Sequence, residues 1–394
     1  MLRIAKCFSM LWLFISFLSC ANVTSVPIAQ QAKLEPVRLT ALHYQLLDAA
    51  ITVDTLVSDP ALFHNFKPLN ATQSTLRTSE HQALWLLVKL TNTLPEPWEA
   101  ILSYHFLPAD RVSFYQLATD LPTAVHLGDT GSDLPFVERA LPFLSFSQPI
   151  TLAQGEQGTY LVRLQDAALL GTELTVASLH ALLVAQQQQM LLASMIHGAL
   201  ILLIVLALCR AWQQKQPALF FLASFYVAFS LILGTLNGLA FNLLWPLNPE
   251  INPVILYIGV GLALVLLTLF HRVSMPIPIS RYAAYLNTFC LFLALALLFS
   301  PLYANGKLKL TLLFICITIV LAISVIQAIF TSLTSHVRYS SRFSLLSALA
   351  TLNLLLVQTR YLSHKVYWLD MGLLILLCSS AMVLLAIPKR TVTR

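Results

Sequence analysis

The chain has 394 residues, is 58% hydrophobic with a mean hydropathy of +0.77, and carries a formal net charge of +6. Such a length has room for two domains, and such a hydropathy excludes an ordinary soluble protein once the apolar residues are seen to cluster from residue 190 onward. The charge excludes nucleic acid as the expected partner: residues 22–189 hold eight Lys/Arg against fifteen Asp/Glu, whereas residues 190–394 hold thirteen against only Glu250 and Asp370. The basic excess lies in the loops of an apolar block, where lipid and topology account for it.

In chain order, residues 1–21 read as a secretory signal peptide. Arg3 and Lys6 precede an apolar run from Phe8 to Leu18, and Ser19-Cys20-Ala21 supplies small residues for cleavage. Acylation at Cys20 and an uncleaved anchor are the alternatives, and in all three cases residues 22–180 are exported. Residues 22–44 are mixed and polar and read as a linker, with room for a first strand or helical turn. From 45 to 180 the pattern has a short period. Candidate strands are Ile51–Val57, Ala83–Thr91, Trp98–Phe106, Arg111–Leu117, Pro142–Phe146, Thr159–Gln165 and Glu173–Ala177. Trp98, Ala100, Leu102, Tyr104 and Phe106 alternate with polar positions as in a half-buried strand. The run ALWLLVKL is continuous, as in a strand covered on both faces. Turn residues at 94–97, 128–131 and 155–158 separate the runs. The expectation is an all-β, jelly-roll-like sandwich. None of the six cysteines falls between residues 22 and 189, so this domain has no internal disulfide.

Residues 178–190 (SLHALLVAQQQQM) read as a helix, with 181–189 as a juxtamembrane linker that is either a solvated stalk or a mechanical coupler. Seven spans occupy 190–387, at about 190–212, 218–240, 254–271, 282–300, 309–331, 343–359 and 369–387. A helix needs roughly 20 apolar residues to cross the hydrocarbon, and these runs are too uniformly apolar for barrel strands. Loops after spans one, three and five plus the tail 388–394 hold nine Lys/Arg, and the opposite loops hold four. The positive-inside rule therefore places the N-terminal domain outside and the tail in the cytoplasm, in agreement with the signal peptide.

Several positions resemble a known family. They are Trp85 with Leu90-Thr91-Asn92, the run Asp110-Arg111-Val112-Ser113-Phe114-Tyr115, Gly128-Asp129, Arg139 and the strand Thr159–Leu164. In the apolar block they are Tyr226, Asn237-Gly238 and Leu244-Trp245-Pro246. Together with the order of signal peptide, sandwich and seven spans, they resemble the bacterial seven-transmembrane receptors with diverse intracellular signalling modules (7TMR-DISM), with an extracellular domain of the second type. The resemblance implies a periplasmic jelly roll that binds a small ligand, carbohydrates included, on a receptor of the bacterial inner membrane. Many members continue from the seventh span into a cyclase, kinase or similar module. Seven residues follow Ile387 here, so the expectation is either a separate cytoplasmic signalling protein (a cyclase, a kinase or a phosphatase) as the output or a reading frame truncated before an output module.

No phosphate loop, zinc signature or nucleophile elbow is present in the sequence, so neither catalysis nor a cofactor is expected. Trp98, Tyr115, His126 and Arg139 are candidates for a ligand face, Trp98 and Arg139 foremost, because aromatics stack on sugars and Arg forks onto carboxylates. Tyr226, Asn237 and Gly238 are candidates for the transmembrane relay. The other interior polar residues, His197, Asn287, Gln327, Asn353 and Gln358, serve equally as interhelical hydrogen-bonding groups. A transporter or transport subunit and a membrane-anchored adhesion module are the competing functional classes. Membrane lipid is the one partner common to all three.

Overall fold

The computed structural model describes residues 28–69, 75–78, 81–105, 109–118, 123–165, 169–274, 281–299 and 366–385, with scattered helical residues between 315 and 353. The signal peptide, the tail and most of the fifth and sixth expected spans lie outside the described residues.

The N-terminal part is a sandwich of two antiparallel sheets. A four-stranded sheet runs β1 (Val37–Arg38), β12 (Leu174–Ala177), β6 (Trp98–Tyr104), β9 (Phe146–Leu152). A six-stranded sheet runs β3 (Lys67–Pro68), β2 (Leu42–Asp48), β5 (Gln82–Thr91), β10 (Gln157–Gln165), β7 (Arg111–Leu117), β8 (Ala124–Thr130). A small pair, β4 (Thr75–Arg77) with β11 (Leu169–Gly171), stands beside them. The continuous apolar run of β5 has the two-sided burial expected of it. Leu84, Leu86, Val88 and Leu90 face the sandwich core with Trp98, Leu102, Phe114 and Val162. Ala83, Trp85 and Leu87 face the other way, under Leu56 and beside Leu161. Asn92 locks the end of β5: its Nδ2 donates to the carbonyls of Glu96, Leu152 and Ala153, and its Oδ1 accepts from Leu94 N.

The sequence pattern misleads at four places. Residues 51–57 are not a strand but helix α2 (Val53–Ser58), followed by α3 (Pro60–Phe63). Thr52 accepts from Thr55 N, Asp59 accepts from Ala61 N, and Pro60 stands at the first helical position, so the caps outweigh the β-branched run. The strand placed at 142–146 begins instead at Phe146 and passes through Pro149, which β9 tolerates as an edge strand. Gly128-Asp129-Thr130 is no turn but the end of β8. The segment read as a linker contributes α1 (Ile28–Leu34), whose Ala29 and Ala32 are core residues, and the edge strand β1.

The helical part opens with α4 (Leu179–Gln214), 36 residues long. At 1.5 Å per residue this helix measures about 54 Å, well beyond the roughly 30 Å of hydrocarbon. Its first turns are the expected juxtamembrane helix, and no break separates them from the first span. Then come α5 (Pro217–Leu236), α6 (Leu239–Leu244), α7 (Ile251–Ser274), α8 (Arg281–Leu298) and α9 (Val366–Leu385). Among the described residues three helices are long and apolar enough to cross a membrane: α4, α5 and Ile251–Val273 of α7. The apolar stretches Tyr285–Leu298 and Gly372–Leu385 are shorter. α5 packs between α4 and α7, α8 packs on α7, and α9 returns against α4.

Candidate functional site

The sandwich meets the helices in two places. The first is covalent. β12 runs through Ser178 directly into α4, and Ser178 caps that helix by accepting from Ala181 N. Its own N–H donates to Ala32 O and its hydroxyl to Lys33 O. Ala181 and Leu182 are buried against Ile101 and Phe143 of the sandwich, so the helix leaves the domain on a packed base.

The second meeting place is a joint between segment 131–144 and the loop after α5. α5 ends at Asn237, which is buried, and Gly238 turns the chain with a φ of +71°. That left-handed conformation suits glycine, and it aims the short helix α6 at the sandwich. Phe241 of α6 packs edge-on against Phe136 at 5.7 Å, with Leu144 beside it and Trp245 at the margin. Three hydrogen bonds extend the seam. Phe136 N donates to Pro246 O at 2.8 Å, Asn252 Nδ2 to Ser132 O at 3.2 Å, and Trp245 Nε1 to Asn252 Oδ1 at 2.8 Å.

Arg139 is the centre of this joint. Its guanidinium lies 4.2 Å from the Phe136 ring centroid, 4.8 Å from Phe146 and 5.7 Å from Phe241. Nη1 donates to Phe143 O and Leu144 O, and Nη2 to Gly131 O. Burial lowers its pKa to about 10, which leaves it charged at neutral pH. On its other side Arg139 lines a cleft of about 240 Å³ with Arg111, Asp129, Thr130, Leu134, Pro135 and Glu138. The far wall is an ion cluster on β7 and β8. Arg111 Nη2 donates to Asp129 Oδ2 at 2.5 Å, and His126 Nε2 meets Asp129 Oδ1 at 2.9 Å. Burial alone would raise the Asp129 carboxyl. Hydrogen bonds from Ser113, Arg111 and His126, with the Arg111 charge, outweigh that and hold it at about 2.

Of the residues singled out by sequence, Arg139 lies at this joint, and Asn237 and Gly238 form the turn that leads into α6. Tyr115 and His126 lie together on the outer face of the six-stranded sheet, their rings 5.2 Å apart, and Tyr115 also stacks on Trp85. Trp98 belongs elsewhere: it is 2% exposed in the sandwich core, where a ligand does not reach it. Tyr226 is fully buried beside Phe225 inside the bundle, away from the joint. His197, Asn287 and Asn353 are helix-bundle residues, with His197 Nδ1 donating to Ala193 O at 2.8 Å. Gln327 and Gln358 lie outside the described residues. Sequence reading missed Phe136, Phe241, Thr130 and Asn252. The available signal was aromatic residues placed without period in two loops, FVERALPF and FNLLW. Among the described residues no group of three His, Cys, Asp or Glu is placed to hold a metal ion.

Residues 47–178 match the family model described as 7TMR-DISM extracellular 2. The matched span runs from the last two residues of β2 to the cap of α4, including the cleft and segment 131–144. No curated protein matches the chain.

Proposed function

Because residues 47–178 match the 7TMR-DISM extracellular 2 model, we propose that the chain is a receptor of that family, a transmembrane protein that senses a small periplasmic ligand and relays its presence to a separate cytoplasmic signalling protein. In this reading the sandwich is of jelly-roll type, residues 1–21 are a signal peptide, and the apolar block completes seven spans in the bacterial inner membrane with a cytoplasmic C-terminus. The chain carries no catalysis of its own, and its effector is a cyclase, a kinase or a phosphatase.

The observation that most supports the reading is the double use of segment 131–144. One side of it walls the cleft through Leu134, Pro135, Glu138 and Arg139, and the other side carries Phe136 and Ser132 onto the outer loop of the helices. A ligand that fits the cleft better in one arrangement of that segment biases the helices by the difference in affinity and by no more. The test uses the full chain in nanodiscs. A metabolite that raises its thermal stability should alter hydrogen exchange at 131–144 and at 237–252. In Phe241→Ala it should alter exchange at 131–144 only. Exchange changes confined to the sandwich in the unmodified protein would overturn the relay.

A further inference from the structure

One face of α4 packs on the sandwich and the bundle, through Ala181 and Leu182 above and Ile196, Leu200 and Leu203 below. The opposite face has no partner among the described residues. Val184, Leu191, Gly198, Val205 and Trp212 recur there at seven-residue intervals, and all five are exposed. Midway between them stand Gln187, Ser194, Ile201 and Leu208, exposed as well. Lipid covers only part of this stripe. α5 has 20 residues and measures about 30 Å, the thickness of the hydrocarbon. A Cβ on its Gly234 would stand 3.6 Å from His197 Nε2 of α4. Leu236, where α5 ends, is therefore level with about residue 195 of the antiparallel α4. Leu183 and Val184, 40% and 41% exposed, lie about 11 residues or 17 Å beyond that level, and the headgroup layer is only about 5–7 Å deep. In a lone chain, water meets these apolar side chains.

Gly198 is a second sign. Gly234, Gly259 and Gly261, on α5 and α7, each face a close neighbour inside the chain, whereas a Cβ on Gly198 would meet nothing within 4 Å. Glycine weakens a helix interior, and this one has no packing reason within the chain. With Ser194 one turn away it notches the stripe at the small-residue spacing that lets membrane helices approach closely.

We infer that the stripe Val184–Trp212 is the interface with a second copy of this chain, the two α4 helices lying side by side and parallel. Three features select a second copy over another protein. Both copies share one orientation in the membrane, so a two-fold axis along the membrane normal sets each stripe position against its own counterpart. A seven-residue repeat is the spacing that keeps two such helices in contact as they supercoil. No Asp, Glu, Lys or Arg occurs between Leu179 and Cys209, so identical faces meet without opposing like charges. Gln187 falls in the layer outside the hydrocarbon, and its amide both donates and accepts, so it pairs with its own copy. The stripe is about 42 Å long on a helix about 12 Å wide, which gives about 1,000 Å² over the two copies, the level a specific interface needs. The inference goes beyond the receptor reading and does not depend on it.

The experiment reconstitutes the full chain in lipid vesicles at increasing dilution, mixing copies that carry donor or acceptor fluorophores at the C-terminus. Energy transfer should fall on dilution as for a dimer. Gly198→Leu should weaken association about tenfold or more, as overpacking of a close contact does. Its side chain enters open space within the chain, so thermal unfolding should stay unchanged. With the exposed Cys209 and Cys378 replaced by serine, Val184→Cys and Leu191→Cys should cross-link copy to copy under oxidation. Gln189→Cys, exposed on the other side of the helix, should not. Monomers at every dilution overturn the inference, as does a dimer that cross-links as readily at 189 as at 184 or that is unaffected by Gly198→Leu. In native membranes, cross-links from Val184→Cys to a protein of another mass, with none to itself, overturn the second copy as the occupant.

Discussion

Asp110 should make the N-terminal domain less stable as pH rises toward neutrality. It sits at the corner before β7, and among the described residues its carboxyl has no hydrogen-bond or ion-pair partner. Burial, with the Asp133 charge second, pushes that carboxyl from the usual 3.8 up to about 7. A folded-state value above the unfolded one means that the folded chain binds the extra proton. The stability it brings is complete below about pH 4, declines between about 4 and 7, and is gone above that. About three pKa units at about 1.36 kcal/mol each set the full effect at roughly 4 kcal/mol. Asp110→Asn keeps the shape and cannot ionise. It should match the unmodified protein at pH 4 and exceed it by up to roughly 4 kcal/mol at pH 8. Denaturant unfolding of the reconstituted chain, followed by tryptophan fluorescence at pH 4, 6 and 8, measures this directly. Parallel pH profiles for the two proteins would refute the reasoning. Burial also raises the neighbouring Asp133, so Asp133→Asn should shift the profile in the same direction.

Asn92→Ala removes four hydrogen bonds at the end of β5 and should cost about 3 kcal/mol in the same unfolding assay. At Gly131 a Cβ would stand 2.0 Å from Asp110 O, so Gly131→Ala must shift the backbone that carries Ser132. It should cost roughly 3 kcal/mol and raise hydrogen exchange across 131–144 and 245–252 together. Arg210 Nη2 donates to Leu385 O at 2.8 Å, tying α4 to the end of α9. Arg210→Gln should leave the unfolding of the sandwich unchanged while a spin label at Ser379 gains mobility; an unaltered spectrum would show that the bond holds nothing in place.

The sandwich was legible because burial writes a period into strands. β5, β6, β7 and β10 fall where alternating or continuous apolar runs place them, and the 36-residue helix falls where the apolar block begins. The failures share a physical cause: local chemistry overrode the period. Thr52 and Asp59 capped helices in a β-branched run, and an edge position excused Pro149 from breaking β9. The joint was only partly legible. Arg139, Asn237 and Gly238 stood out as residue types, but nothing in the order of the chain says that Phe136 and Phe241, 105 positions apart, share one seam. Trp98 stood out for the opposite reason. A large aromatic on an alternating strand has the same signature whether its face meets a ligand or a second sheet, and here it meets the second sheet.

The unbroken helix α4 restricts the form a signal can take. Ser178 fixes its upper end to the sandwich through Ala32 and Lys33, and nothing between Leu179 and Gln214 interrupts its hydrogen bonding. The joint at Phe136 and Phe241 bears on the helices through α6, a separate element. If the proposed relay operates, a shift there would act on a sandwich whose attachment to α4 has no break, and would load a single continuous helix. Near its far end stands Arg210, 32 residues or about 48 Å from Ser178, where the guanidinium grips the last carbonyl of α9. On the proposed relay, a glycine pair inserted into the Gln186–Gln189 stretch would act as a slipping clutch, uncoupling the sandwich from α9.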